Sequence, residues 1–133
     1  MNTKFLMDDY CFACGKKNEH GLKLEVVESE SGVEAEIQPS LWTQGYESIV
    51  HGGIIATILD EMAVWAAYKK GYKSATAALN VRIKKAMLIG DKYIAKARVV
   101  AIKHGLIQAA AEIVNEGNEL IAAADVKLMK IEQ

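Results

Sequence analysis

One proline and two cysteines in 133 residues leave little from which to build a linker or a cross-linked scaffold. Pro39 stands alone, so no Pro-rich spacer divides the chain, and no internal repeat is visible. Two cysteines cannot supply the bridge-dense framework of a small secreted domain. There is no excess of either charge: sixteen Lys+Arg face seventeen Asp+Glu, a net charge of -1. Generic nucleic-acid binding depends on a surplus of cations to neutralise phosphates, so that class is excluded. Charges interrupt every apolar stretch well before the roughly 20 residues needed to cross a bilayer, so no membrane span is expected. Met1 to Asp9 holds Lys4, Asp8 and Asp9 and no apolar segment of the kind that opens a secretory signal. The expected compartment is therefore the cytoplasm, where Cys11 and Cys14 are expected as thiols or ligands. What is present is a 51% hydrophobic, 25% charged chain. That suits a single domain over 1–133, able to bury roughly two-thirds of its unfolded surface.

Hydrophobic periodicity divides the chain. Residues 1–21 are irregular and predict a segment covering a sheet edge or pocket end. Leu22, Leu24 and Val26 alternate with Lys23 and Glu25, which predicts a strand. Val33, Ala35 and Ile37 alternate with Glu34, Glu36 and Gln38 and predict its hairpin partner. A loop carrying Trp42 and Tyr46 follows, and then a helix over Gly53–Lys70. Lys69, Lys70 and Gly71 close that helix, because cations favour its C-terminal dipole and glycine permits the left-handed turn. Apolar residues occupy nearly every side of it, which predicts an enclosed helix. Strands are expected over Ala77–Lys84, Tyr93–Lys103, Leu106–Val114 and Leu120–Ile131, read as a four-stranded antiparallel meander. The fold class is α+β, one buried helix against one curled antiparallel sheet.

Asp60 and Glu61 lie in the middle of that helix, where a carboxylate is costly unless paired. They point about 100° apart. Asp60 shares its stripe with Gly53, Ala56, Thr57, Ala63, Val64 and Ala67, side chains small enough to leave room for a substrate or second helix. Glu61 sits among Ile54, Ile58, Trp65 and Tyr68, where an ion pair with Lys69 or a strand lysine is the competing explanation. At the helix start, His51-Gly52-Gly53 leaves backbone N–H groups open to a ligand carbonyl at the positive end of the dipole. Together with a carboxylate on the same helix, this describes an acyl-transfer site.

His51-Gly-Gly-Ile-Ile-Ala-Thr-Ile-Leu-Asp60 resembles the helix motif of hotdog-fold acyl-CoA thioesterases, in the PaaI-type and thioesterase-superfamily-member branch. The likeness extends through Gln44-Gly45-Tyr46, Thr76-Ala-Ala-Leu79-Asn80-Val-Arg82-Ile-Lys84 and Cys11-Phe-Ala-Cys14-Gly15. It implies a hotdog fold, a curved antiparallel sheet wrapped around one long central helix. It further implies hydrolysis of acyl-CoA by a homodimer, or a dimer of dimers, with no cofactor beyond the CoA of the substrate. Asp60 matches the catalytic carboxylate, as nucleophile or as base for water. Gly52 matches the glycine whose N–H polarises the thioester carbonyl, and His51 a histidine that holds this loop. Thr76 matches a water-positioning Ser/Thr contributed across the dimer. Gly53, Gln44 and Asn80 fall at substrate-binding positions. Relatives place an asparagine where this chain has Gly45. A non-catalytic acyl-CoA-binding module and a hotdog enoyl-CoA hydratase or dehydratase are the alternatives.

Arg82, Lys84 and Lys85 form the densest basic group, suited either to solvent or to CoA phosphates. Cys11-x-x-Cys14 with His20 makes three of the four ligands a structural zinc normally takes, so no metal is expected. Trp42, Tyr46 and Trp65 suit an acyl pocket, although aromatic side chains in so small a chain are more often core.

Overall fold

The computed structural model describes residues 8–131. Its elements are β1 (Val27–Glu28), β2 (Val33–Ile37), a short 3-10 turn (Leu41–Thr43), α1 (Gly52–Lys69), β3 (Ser74–Ile83), β4 (Tyr93–Lys103), β5 (Leu106–Asn115) and β6 (Leu120–Lys130). All six strands form one antiparallel sheet in the order β1-β2-β4-β5-β6-β3. The four late strands are thus not a simple meander. Only β4, β5 and β6 run in sequence, and α1 carries the chain across the sheet so that β3 pairs with β6 at the far edge.

The first predicted strand also differs. Leu22–Val26 stays outside the sheet, and β1 is only the pair Val27–Glu28. The Leu22 and Leu24 N–H groups instead donate to the carbonyls of Phe12 and Ala13, at 2.8 and 2.9 Å. The alternation there reflects packing against the N-terminal segment rather than pairing with β2. Those hydrogen bonds hold the segment in place, with Ala13 and Leu24 buried in the core.

α1 buries Ile55, Ile58, Leu59, Met62, Ala63, Ala66 and Ala67, the i, i+3, i+4 spacing of a single stripe. That stripe packs on the sheet against β2 to β6. Ala95, Ala97, Ala109, Ala111, Ala122 and Ala124 line the sheet beneath it, and their small side chains let the helix sit close. Full burial of Leu59 and Met62 contributes about 1.5–3 kcal/mol each. The other side of α1 is only partly covered within one chain. Gly52 and Gly53 are exposed, and Ala56, Thr57, Asp60 and Val64 are half-buried. The prediction of an enclosed helix therefore holds for one face; of the stripe assigned to Asp60, Ala63 and Ala67 are buried against the sheet, while Gly53, Ala56, Thr57 and Val64 are the part left open. At its C-terminal end the Lys70 N–H returns to the Ala67 carbonyl and the Gly71 N–H to that of Tyr68. Gly71 takes the left-handed φ of 94° that a glycine adopts without strain.

Candidate active site

His51 caps α1 with its side chain. The Gly53 N–H donates to His51 Nδ1 at 2.9 Å, and the His51 carbonyl accepts from Ile54 and Ile55 at 2.9 and 3.2 Å. His51 itself is fixed by its N–H donating to the Thr43 carbonyl at 2.7 Å. One donor of the first turn remains. The Gly52 N–H has no hydrogen-bond partner among the described residues. A Cβ at position 52 would meet only Ile83 Cδ1, at an ordinary 3.5 Å, so packing does not demand glycine there. Its absence keeps the approach to the N–H clear. Gly53 serves differently: a Cβ there would come within 3.1 Å of His51 Nδ1 and press on the cap. Within one chain its N–H is taken by the histidine.

Close approach also explains Gly45. A Cβ at that position would lie 3.1 Å from His51 Cα and 3.3 Å from its Cβ, so any side chain would displace the capping residue. Gln44 does not take over as a free amide oxygen, because its Oε1 accepts the Ser48 N–H at 2.8 Å and closes its own loop.

Asp60 is half-buried and faces the open stripe. Thr76 Oγ1 donates to Asp60 Oδ1 at 2.5 Å, within the same chain. A register shift makes this possible. Between Thr76 and Ala78 the β3–β6 pairing slips, so that Thr76 lies opposite buried Leu128 and Ala78 opposite exposed Lys127. Leu79, Val81 and Ile83 face the buried partners Val126, Ala124 and Ala122. Strict alternation from Leu79 would turn Thr76 away from the helix. The bulge turns it inward, onto Asp60.

The remaining candidates lie elsewhere. Asn80 and Arg82 occupy the outer face of the sheet, opposite Asp125 and Ala123. Arg82 Nη1 binds Asp125 Oδ2 at 3.0 Å beside an open depression of about 490 Å³ that Lys96, Arg98 and Glu112 also line. Lys85 is paired with Glu119, whose carboxyl it holds below the ordinary range. Lys84 is exposed and forms no ion pair among the described residues. Two of the three cations proposed for phosphate thus already have partners on their own chain. Such exposed pairs are weak and exchange readily.

Trp42 and Tyr46 are not core: they are 91% and 85% exposed, beside the helix start. Glu61 does not pair with Lys69, which instead lies 3.9 Å from Glu28 and over the Trp65 ring. Glu61 Oε2 accepts the Trp65 indole N–H at 3.1 Å and stands 3.6 Å from Cys11 Sγ. The Glu61–Trp65 contact was legible as an i, i+4 pair, whereas nothing in the local sequence pointed from Cys11 to Glu61.

The thioesterase superfamily model matches residues 47–122, from the loop before His51 into β6. The chain belongs to the thioesterase superfamily. No curated protein sequence matches this superfamily member significantly. Among solved structures it is similar to a Streptococcus mutans protein bound to acetyl-CoA, at 19% identity and TM-score 0.76, over 83% of this chain and 90% of that one. A hypothetical thioesterase of Streptococcus pneumoniae with coenzyme A gives 18% identity and TM-score 0.77, over 83% and 90%. Versions of that protein carry an aspartate or a threonine replaced by alanine, sixteen positions apart. The Escherichia coli PaaI protein of the phenylacetic acid degradation operon gives 18% identity and TM-score 0.75, over 81% and 83%. These likenesses show the fold, which is the hotdog fold: one curved antiparallel sheet around one long helix. No helix among the described residues is long and apolar enough to cross a membrane.

Proposed function

We propose that this protein hydrolyses acyl-CoA thioesters, with Asp60 as general base and the Gly52 N–H as donor to the carbonyl oxygen. The observation that carries the reading is the Thr76–Asp60 hydrogen bond that the β3 bulge creates. With its proton directed at Asp60 Oδ1, the Thr76 oxygen keeps lone pairs that orient a water. Asp60 Oδ2 then takes that water's proton as its oxygen attacks the carbonyl carbon. The tetrahedral oxyanion gathers its negative charge against the Gly52 N–H at the positive end of α1. As the intermediate collapses the C–S bond breaks and the proton held by Asp60 passes to the departing sulfur, so CoA leaves as the thiol and the carboxylate is restored; no metal or organic cofactor enters these steps. The aspartate and threonine replaced in the Streptococcus pneumoniae protein have the spacing of Asp60 and Thr76, sixteen residues.

We infer that the site is completed by a second copy of the chain. Gly52 and Asp60 lie eight residues apart on one helix, about 12 Å at 1.5 Å per residue. One thioester group needs its oxygen about 3 Å from the donor and its carbon only one water away from the base, a much shorter span. The two groups that share a substrate therefore come from different subunits, one donating Gly52 and the other Asp60 with Thr76. The edge strand β3 supplies the means. It runs ten residues with Arg82 as its single charge, and Leu79 and Ile83 are 38% and 48% exposed. A long, nearly uncharged edge is a template for pairing, and β3 against its symmetry mate would join two sheets.

An acyl-CoA panel with free thiol detected tests the reaction. Steady thiol release is expected; tight binding without release would make the protein an acyl-CoA-binding module. Replacing Thr76 by alanine is expected to lower kcat roughly tenfold to a hundredfold with KM little changed. Serine, which keeps the hydroxyl, is expected to restore most of the rate; if both variants lose the same amount, Thr76 does not position water.

A further inference from the structure

Cys11 and Cys14 approach α1 about 100° around the helix from Asp60, and there they meet Glu61. The two Sγ atoms and a Glu61 carboxylate oxygen all lie within 4.8 Å of one another, and all three residues are half-buried. We propose that Cys11, Cys14 and Glu61 form a binding site for a divalent cation of zinc-like chemistry, separate from the hydrolytic site and pinning the N-terminal segment to the helix.

Two features of the cluster support the assignment. The Cys14 N–H points at Cys11 Sγ at 3.5 Å, and the Gly15 N–H bonds the Cys11 carbonyl at 2.9 Å. The Cys-x-x-Cys-Gly segment thus forms a tight knuckle that turns both sulfurs the same way. A backbone N–H on sulfur is the kind of outer contact that orients a ligating cysteine. Gly15 is what lets the knuckle close, since a Cβ there would lie 2.2 Å from the Asp9 carbonyl oxygen. Next, no cation pairs with Glu61 among the described residues; its contacts are the Trp65 indole and Cys11. A half-buried carboxylate beside two thiols is a group of potential anions lacking a counter-charge, and a dication supplies one.

The geometry is within reach of coordination. Zn–S distances of about 2.3 Å and Zn–O of about 2.0 Å place tetrahedral ligand atoms about 3.5–3.8 Å apart. Cys11 Sγ to Glu61 Oε2 already has 3.6 Å. Thiolate ligands select zinc-like metals over magnesium or calcium. His20, the third ligand suggested by sequence, does not belong to this group, and Glu61 takes its place. A solvent-open depression beside Cys14, lined by Asp8, Asp9, Lys16 and Trp65, gives a water access as the fourth ligand.

Cobalt(II) titrated into the reduced, full-length protein at neutral pH tests the proposal. One equivalent per chain is expected to give a sulfur-to-cobalt charge-transfer band, displaced by zinc. Cys11→Ser and Cys14→Ser should each diminish the band, and Glu61→Gln should weaken binding roughly tenfold or more. Independently of any variant's folding, free zinc at about a hundred times Kd should raise the wild-type Tm by roughly 8 °C. No thiolate band, an unmoved Tm, or serine variants that bind as well as the wild type would each overturn the site. The readouts are spectroscopic and thermal, so a failed hydrolysis assay leaves them unaffected.

Discussion

Asp60→Ala is expected to lower acyl-CoA hydrolysis about a thousandfold while the protein stays folded. The rate effect follows from removing the only carboxylate on the open face of α1, where it is hydrogen-bonded to Thr76. A positioned general base is worth roughly a hundredfold to ten-thousandfold. The stability effect is small because Asp60 is half-buried, forms no ion pair among the described residues, and alanine is the better helix former. A change within about 1 kcal/mol is expected in denaturant unfolding. Asp60→Asn sharpens the test. The amide oxygen still accepts from Thr76, so the local structure persists, but it cannot take a proton from water. Its rate should fall nearly as far as that of alanine. A variant with asparagine that retained most of the wild-type rate would mean that the carboxylate is not the base.

Gly52→Pro is the second large effect, and it removes one atom that matters with little else. Proline has no N–H, so the donor to the carbonyl oxygen vanishes. Position 52 is the first residue of the helix, where proline is at home. The residue before a proline must be extended, and His51 already is, with φ -59° and ψ 135°. Space is available too, since only Ile83 Cδ1 comes near an added Cβ. The expected outcome is a loss of roughly a hundredfold to a thousandfold in kcat, as for one oxyanion donor, with Tm unchanged or slightly raised. Gly52→Ala keeps the N–H and should retain far more activity than proline. If the two variants were equally impaired, the side-chain space and not the N–H would be the requirement.

The sequence made the helix and most strands legible because their signals are local. Lys69, Lys70 and Gly71 marked the helix end through dipole and backbone preferences, and the predicted Tyr93–Lys103 strand is β4 itself. What was not legible is what depends on partners far along the chain. Leu22–Val26 alternates as a strand does, yet its N–H groups go to Phe12 and Ala13. β3 follows the helix in sequence but pairs with β6, a choice made by where α1 delivers it. The site shows the same division. The helix-start glycines and Asp60 stood out locally, as a free donor and a misplaced charge. Thr76 entered only through resemblance, because strict alternation points it away from Asp60. A one-residue bulge, invisible to periodicity, decides its orientation. Glu61 reads locally as a partner for nearby lysines, while its thiol neighbour Cys11 lies fifty residues upstream.

The central claim is that each site combines Gly52 of one subunit with Asp60 of another, and complementation between two dead variants tests it most directly. Asp60→Ala and Gly52→Pro, co-expressed with different tags so that mixed dimers form, are each nearly inactive alone. A mixed dimer holds one site with both groups intact and one with neither. At random pairing, about half the dimers are mixed and each has one working site, so about a quarter of wild-type activity should return. A mixture that stays at the sum of the two separate variants, with mixed dimers shown to be present, would contradict a site shared between subunits.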